Sequence, residues 1–141
     1  MKLKPHTGSV YCDDNFRFSD GKIGKKLFIV MALDCVDDNQ ILVAKTTSKP
    51  KSDLALACFP DQLPPSYCIP KTHTSFTVDT WIVLDELYCY EAQKFWDKNL
   101  DKLFELDRAT LVDIGKCAIM SAYLDGLDKE SIRLEIGLLK D

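Results

Sequence analysis

Two apolar runs, separated by a short acidic segment, constrain the fold most. The run "LFIVMAL" (Leu27–Leu33) is continuously apolar and only seven residues long, which is typical of a fully buried strand rather than a helix. The segment "DCVDDNQ" that follows contains the turn-forming residues Asp37, Asp38 and Asn39, and "ILVAKTTS" (Ile41–Ser48) is a second β-rich run. The sequence therefore predicts two neighbouring antiparallel strands within a β-sheet.

Further β patterns flank this hairpin. "GSVYC" (Gly8–Cys12) predicts a short first strand, and Phe76–Tyr90 contains the strongly apolar run "TWIVL". Five prolines fall between residues 49 and 75, so no helix or long central strand crosses this part, although "SYCIP" can form a short edge strand. The mixed pattern of Glu91–Leu103 is typical of a short helix or a covering segment.

The last third of the chain predicts a helix over about 107–124. Asp107 is a good N-cap, Gly126 suits the end of the helix, and apolar or small residues recur at helical spacing between them. A length of 141 residues predicts a single domain, 1–141. We therefore expect a mainly β fold, a small antiparallel barrel of five or six strands with one C-terminal helix, because closure removes exposed strand edges.

Cysteine spacing and hydropathy limit the class of protein. Consecutive cysteines are never closer than ten residues, so the chain has no CxxC-type metal motif, and we predict no metal and no cofactor. No apolar run reaches the ~20 residues that a membrane-spanning helix needs, and the amino terminus lacks the apolar region of a signal peptide. These features predict a cytoplasmic protein with no membrane partner, whose six cysteines are free thiols.

Charge is distributed unevenly along the chain. The net charge is −4, but residues 1–52 carry nine Lys/Arg against six Asp/Glu, whereas residues 53–141 carry nine against sixteen. An anionic ligand is therefore expected to meet the amino-terminal third. The acidic pair Asp85–Glu86 lies in the other part, and because consecutive strand residues point to opposite faces, we interpret it as a solvated rim rather than a catalytic pair.

Two lysine-rich segments in the basic third are predicted to converge. "SDGKIGKK" (Ser19–Lys26) precedes the first buried strand, and a strand rather than a helix follows it, which excludes a nucleotide-binding P-loop. "KTTSKPK" (Lys45–Lys51) ends the second strand in three hydroxyls. Because the start of one strand lies beside the end of its antiparallel neighbour, we expect Lys25 and Lys26 near Thr46, Thr47 and Ser48, with Lys26 facing Thr46. Ammonium and hydroxyl groups at one sheet edge are typical of a phosphate-binding groove.

The order of these segments resembles the PemK/MazF group of toxin ribonucleases from bacterial toxin–antitoxin systems. The residues concerned are "GSVYCDDNFRFSDGKIGKKLFIVMA", "ILVAKTTSKP", "TWIVLDELY" and "DRATLVDIGKCA", which together span roughly 8–123. The resemblance implies an SH3-like barrel that forms a homodimer, binds single-stranded RNA and is neutralised by an antitoxin protein. It also implies an endoribonuclease that needs no metal, in which the ribose 2′-OH attacks the phosphate.

The resemblance also implies which residues carry the reaction. Lys26 falls where the family has its catalytic arginine, or Lys25 does if the alignment shifts by one, and Thr46 falls on the catalytic hydroxyl. The family usually has Arg-Pro where this chain has Lys26-Leu27. Lysine keeps the positive charge but loses the two-pronged contact with phosphate. The candidate substrate-binding residues are Arg17, Lys22, Lys25, Lys45, Thr47, Ser48, Lys49 and His73.

Alternatives to this interpretation stay open. His73 is a candidate because ribonucleases without metals often use a histidine, and its Pro-rich loop can fold over the groove. A non-catalytic SH3-like domain that binds a partner protein through aromatic loops is the main alternative function. A weaker one is an enzyme in which Cys58 or Cys68 pairs with His73 as nucleophile and base.

Overall fold

The computed structural model describes residues 6–18, 20–34, 37, 39–73, 76–98 and 100–140. Within these residues the chain forms a mainly β structure with an antiparallel sheet and three helices. The strands are β1 Ser9–Arg17, β2 Ile23–Leu33, β3 Gln40–Thr47, β4 Ala57–Phe59, β5 Ser66–Ile69, β6 Thr80–Val83, β7 Tyr88–Glu91 and β8 Asp101–Glu105. The helices are α1 Ala92–Asp97, α2 Arg108–Met120 and α3 Gly126–Lys140.

The predicted central hairpin is confirmed. β2 and β3 pair antiparallel with Phe28 opposite Lys45 and Leu33 opposite Ile41, and the register shifts between Val30 and Ala32. β2 begins at Ile23, four residues before the apolar run, because its first residues pair with β1 instead. The predicted turn lies only partly within the described residues, which include Asp37 and Asn39 but not Asp38.

The strand order across the sheet is β4-β5-β6-β3-β2-β1-β8, and β7 also pairs with β3. The first half of β3 pairs with β7 and its last residues, Thr46 and Thr47, pair with β6. β3 therefore bridges two parts of the sheet. In the described part of the chain β4 and β8 lie at the two ends of this order and do not pair with each other, so the expected closure into a barrel is not seen.

The period-two alternation of β2 separates two hydrophobic clusters on opposite faces of the sheet. Ile29 and Met31 belong to a large cluster that includes residues from α2 and α3. Phe28 and Val30 belong to a smaller, aromatic cluster that includes Phe95 of α1. Each face of the sheet is thus covered by helix, which buries both sides of the central strands.

The predicted carboxy-terminal helix corresponds to α2, with Asp107 as N-cap accepting a hydrogen bond from the backbone N–H of Thr110. The prediction of one terminal helix ending near residue 124 was wrong. α2 stops at Met120, where Ser121 turns extended and its hydroxyl donates to the carbonyl of Leu84. Gly126 begins α3 instead of ending a helix, and α3 packs against α2 where Gly115 leaves room for Ile132 and Ile136.

Three further expectations differ from the structure. Glu91–Leu103 contains the short helix α1, one of the two structures predicted for it, but Asp101 also begins β8, and the described chain has eight strands rather than five or six. The predicted edge strand is β5, but β4 covers its outer side. A disulfide joins Cys58 of β4 to Cys117 of α2, so these two cysteines are not free thiols; the fold brings together positions 59 residues apart in sequence.

Among the described residues no helix is both long enough and apolar enough to cross a membrane.

Candidate functional site

The segment "SDGKIGKK" is divided between two elements: residues 23–26 begin β2, and Asp20, Gly21 and Lys22 lie in the connection from β1. Phe18 and Lys22 close it, with the Phe18 N–H donating to the Lys22 carbonyl at 2.8 Å, and Gly21 has a φ of +87° that favours glycine. Gly24 has a different role, because a Cβ there would lie 3.1 Å from the Phe18 ring. Gly24 thus lets that ring pack closely over β2, next to Lys26.

A cavity of about 620 Å³ opens where β2 begins and β3 ends. It is lined by lysines, hydroxyl side chains and a few apolar residues: Lys25, Lys26, Leu27, Thr46, Thr47, Ser48, Lys49, Phe76, Thr77, Val78, Thr80, Leu103 and Phe104. We call it the lysine cavity. No carboxylate is among these lining residues, so an anion entering it meets only cations and neutral groups.

Lys26 and Thr46 both line the lysine cavity, but strand alternation sends their side chains to opposite faces. Lys26 leaves β2 on the side of Phe28, where its ammonium lies 5.9 Å from the centre of the Phe18 ring. Thr46 shares the opposite face with Leu27. Continuing the register of β2 and β3 places Thr47, rather than Thr46, directly opposite Lys26, so the expected facing pair is not formed.

The hydroxyl groups of the two threonines are engaged differently. Thr46 is buried and its hydroxyl donates to the carbonyl of Leu27 at 3.0 Å, so its proton is already used. Thr47 accepts a hydrogen bond from the N–H of Lys49 at 3.1 Å, which leaves its own O–H available to donate. Of the two, Thr47 is the better donor to a bound phosphate oxygen.

Positive charge is concentrated around Lys26. Burial, followed by repulsion from Lys45, Lys49 and Lys51, lowers the pKa of the Lys26 ammonium below its ordinary value. Like charges held together in this way gain from a bound anion, because the anion offsets their mutual repulsion. The electrostatics therefore favour an anionic ligand at this edge of the sheet.

The remaining predicted site residues are spread more widely. Lys45 lies on the Phe28 face, where its ammonium contacts the Tyr88 hydroxyl at 3.2 Å. Arg17 lines a second cavity of about 490 Å³, which we call the second cavity and whose other lining residues are Asn15, Phe16, Ile23, Tyr88, Cys89, Tyr90, Glu91, Lys94 and Lys98. Lys22 and His73 are exposed and line neither cavity. The structure thus brings six of the predicted residues to the lysine cavity: Lys25, Lys26, Thr46, Thr47, Ser48 and Lys49.

Two residues that line the second cavity, Tyr90 and Lys98, are hydrogen-bonded to a buried carboxylate that the sequence did not reveal. Asp13 is 2% exposed and accepts hydrogen bonds from the Tyr90 hydroxyl at 2.7 Å, from the Lys98 ammonium at 3.0 Å and from the Asn15 N–H at 2.8 Å. Burial alone would raise the pKa of Asp13, but these bonds lower it. Burial and the bond to Asp13 raise the pKa of Tyr90 well above its ordinary value. These partners are 77 and 85 residues apart in sequence, too far for any local pattern.

Two other site hypotheses meet obstacles in the structure. Cys58 is bound in the disulfide and Cys68 is fully buried, so neither can act as a nucleophile with the exposed His73. Of the acidic pair, Glu86 is exposed, but one carboxylate oxygen of Asp85 is buried, so the pair is not wholly solvated. Among the described residues no group of three His, Cys, Asp or Glu side chains is arranged to hold a metal ion.

Neither the scan against protein-family models nor the search of curated proteins gave a match to this chain. The similarity to the PemK/MazF group therefore stays a prediction from the sequence.

Proposed function

We propose that the protein is an endoribonuclease that binds single-stranded RNA at the lysine cavity and cleaves it without a metal ion. The observation that carries this proposal is the lining of that cavity, which combines three lysines with hydroxyl groups and has no carboxylate. RNA phosphates need such cations and donors. Their position at the junction of β2 and β3 is also where the resemblance to the toxin ribonucleases puts the reacting phosphate.

In the proposed reaction the ribose 2′-OH attacks the adjacent phosphorus, the bond to the 5′-oxygen of the next nucleotide breaks, and a 2′,3′-cyclic phosphate forms. The 2′-OH gives its proton to solvent water and the departing 5′-oxygen takes a proton from solvent water, so no net proton is consumed. Lys26 offsets the negative charge that accumulates on the phosphate, and Thr47 donates a hydrogen bond to one of its oxygens. Thr46 holds the strands in register through its bond to Leu27, which makes it a positioning residue.

The resemblance supplies the wider biological proposal. We propose that the open sheet is a variant of the SH3-like barrel in which β3 pairs with both β6 and β7. On the same basis the protein acts in the cytoplasm as a homodimer, inhibits growth by cleaving RNA, and is neutralised by a cognate antitoxin protein.

The test is RNA cleavage by purified variants, measured with a fluorophore–quencher RNA substrate. Lys26→Ala is expected to lower kcat/KM at least tenfold, because it removes the cation assigned to offset the charge on the phosphate. Lys26→Arg keeps the charge, adds a two-pronged contact and should retain or raise activity. Lys71→Ala removes an exposed lysine that lines neither cavity and is the matched control. Equal rates for Lys26→Ala and Lys71→Ala would refute the proposed role of Lys26.

One observation favours a second candidate, an SH3-like domain that binds a partner protein without catalysis. Three leucines between β3 and β5 are well exposed, with Leu54 at 57%, Leu56 at 43% and Leu63 at 78%. A contiguous exposed apolar patch is typical of a protein-binding surface, and these three leucines lie within ten residues of the sequence. Intact RNA and normal growth after expression in a bacterial host would favour this second function over the ribonuclease.

A further inference from the structure

A continuous series of aromatic contacts connects the lysine cavity with the second cavity. Lys26 borders the lysine cavity and lies over Phe18, whose ring centre is 5.3 Å from that of Phe16. Phe16 in turn packs edge-on against Tyr88 at 5.0 Å, and both of these residues line the second cavity. All these side chains lie with the smaller hydrophobic cluster, on one face of the sheet. We call this row of rings the aromatic track.

Lysine and arginine side chains lie next to the rings of the aromatic track. Lys26 lies over Phe18, and Lys45 lies over Tyr88 with its ammonium 5.6 Å from the ring centre. Arg17 lines the far end in the second cavity and is exposed. Within the described residues none of these three cations forms an ion pair with a carboxylate. Lys26 thus provides positive charge at the lysine cavity, and Lys45 and Arg17 provide it at the second cavity, where the carboxylate of Glu91 is paired with Lys94.

Flat apolar rings that alternate with unpaired cations fit a single-stranded nucleic acid better than a peptide. Each nucleotide offers a flat base that stacks on an aromatic ring and a phosphate that binds a cation. We propose that the second cavity is a base-binding subsite for the strand whose phosphate occupies the lysine cavity. This inference rests on the proposed function and adds to it a second contact region and a direction for the bound strand.

The structure also indicates how the subsite works. Phe18 and Tyr88 are half-buried, so part of each ring stays accessible while Phe16 holds both rings in place. A base that stacks on either ring displaces the ammonium group that now lies over it. The displaced Lys26 or Lys45 is then free to meet the phosphate next to that base. Tyr90 and Lys98, which line the second cavity, are held by hydrogen bonds to the buried Asp13.

The experiment measures binding of fluorescein-labelled 2′-O-methyl RNA, which the proposed reaction cannot cleave because its 2′-oxygen is blocked. Mixed-sequence oligonucleotides of three and eight nucleotides are titrated by fluorescence anisotropy at several salt concentrations. The variants are Arg17→Gln, Tyr88→Leu and Lys26→Ala. The matched controls are Arg108→Gln and Tyr123→Leu, which alter exposed residues that line neither cavity.

For the eight-nucleotide RNA, Tyr88→Leu is expected to weaken binding about five- to 100-fold through loss of stacking. Arg17→Gln should weaken it and reduce the slope of log K against log salt by about 0.7, as expected for one phosphate contact. Because Arg17 is exposed, this variant tests the subsite even if Tyr88→Leu is unstable. The two controls should bind like the wild type.

The outcomes separate the two proposals. If Arg17→Gln and Tyr88→Leu bind the longer RNA like the wild type while Lys26→Ala does not, the subsite is refuted and the proposed function stands. If Arg17→Gln and Tyr88→Leu weaken binding but the wild type does not cleave the unmodified RNA in the assay above, the proposed function fails while the second cavity is upheld as an RNA site. If the wild type binds neither RNA, both fail. Competition by a polyglutamate peptide as strong as that by RNA would overturn the assignment to nucleic acid.

Discussion

The buried hydrogen bond between Tyr90 and Asp13 provides the sharpest test of the structure. The Tyr90 hydroxyl is the donor, at 2.7 Å from an oxygen of a carboxylate that is almost fully buried. Tyr90→Phe removes only this hydroxyl and keeps the ring against Phe28 and Phe95. The substitution therefore measures the hydrogen bond with little change in packing.

The expected loss of unfolding free energy follows from the remaining partners of Asp13. A hydrogen bond to a charged group contributes about 1.5–3 kcal/mol. After the substitution Asp13 keeps its bonds to Lys98 and to the Asn15 N–H, so the carboxylate is not left unpaired. We therefore expect Tyr90→Phe to cost about 1.5–2 kcal/mol, near the lower end of that range.

The pKa shift of Asp13 also determines how the stability difference between wild type and Tyr90→Phe changes with pH. The pKa of Asp13 is lower in the folded protein than its ordinary value of 3.8, so its contribution to stability is present above that pH. The contribution is lost as the pH falls through the lowered folded-state pKa, since the protonated carboxyl binds Tyr90 more weakly. The difference between wild type and Tyr90→Phe should thus be largest near pH 7 and shrink in acid.

Urea unfolding, followed by the fluorescence of Trp81 and Trp96, measures this difference. Tyr123→Phe is the control, because Tyr123 is 56% exposed and removal of its hydroxyl should change stability by less than about 0.5 kcal/mol. Equal stability of the two variants at pH 7 would contradict the proposed role of Asp13.

Three further predictions concern packing, the disulfide and the lysine cavity. Gly115→Val should destabilise the protein by about 1–3 kcal/mol, because a Cβ there would lie 2.7 Å from Ile136. Gly137→Ala in α3 should instead stabilise it by about 0.5–1 kcal/mol, because the added Cβ meets nothing within 4 Å; thermal unfolding of both variants tests these opposite signs. Reduction of the Cys58–Cys117 disulfide should release two thiols and lower the free energy of unfolding by about 2–4 kcal/mol, which is measured as a lower urea midpoint. An unchanged midpoint after complete reduction would contradict a structural role for the disulfide. The rate of RNA cleavage should fall at alkaline pH as Lys26 loses its charge. Because the pKa of Lys26 is lowered, the fall should begin below the ordinary lysine pKa of 10.5, and a cleavage rate that stays flat up to pH 10.5 would argue against Lys26 as the essential cation.

Local sequence patterns were sufficient for the parts of the fold that depend on near neighbours. The continuous apolar run of Leu27–Leu33 predicted a buried strand, and Asp107 predicted the start of α2 through its bond to the Thr110 N–H. The antiparallel pairing of β2 and β3 followed from the short turn between them. That pairing also predicted which lysines and hydroxyls meet at one edge of the sheet, because neighbouring strands of a hairpin have few possible registers.

The tertiary structure decided what depends on long-range packing and on orientation. A shift of one residue in register reverses the face to which a side chain points, so the sequence predicted that Lys26 and Thr46 are near each other but not that Thr47 is opposite Lys26. The disulfide, the pairing of β8 with β1 and the buried Asp13–Tyr90–Lys98 contacts join residues 59 to 96 positions apart. Such contacts form because burial stabilises the whole chain at once, and no local pattern records them. The sequence by itself thus determined a basic, hydroxyl-lined sheet edge, while the fold alone connected that edge to the aromatic track and the second cavity.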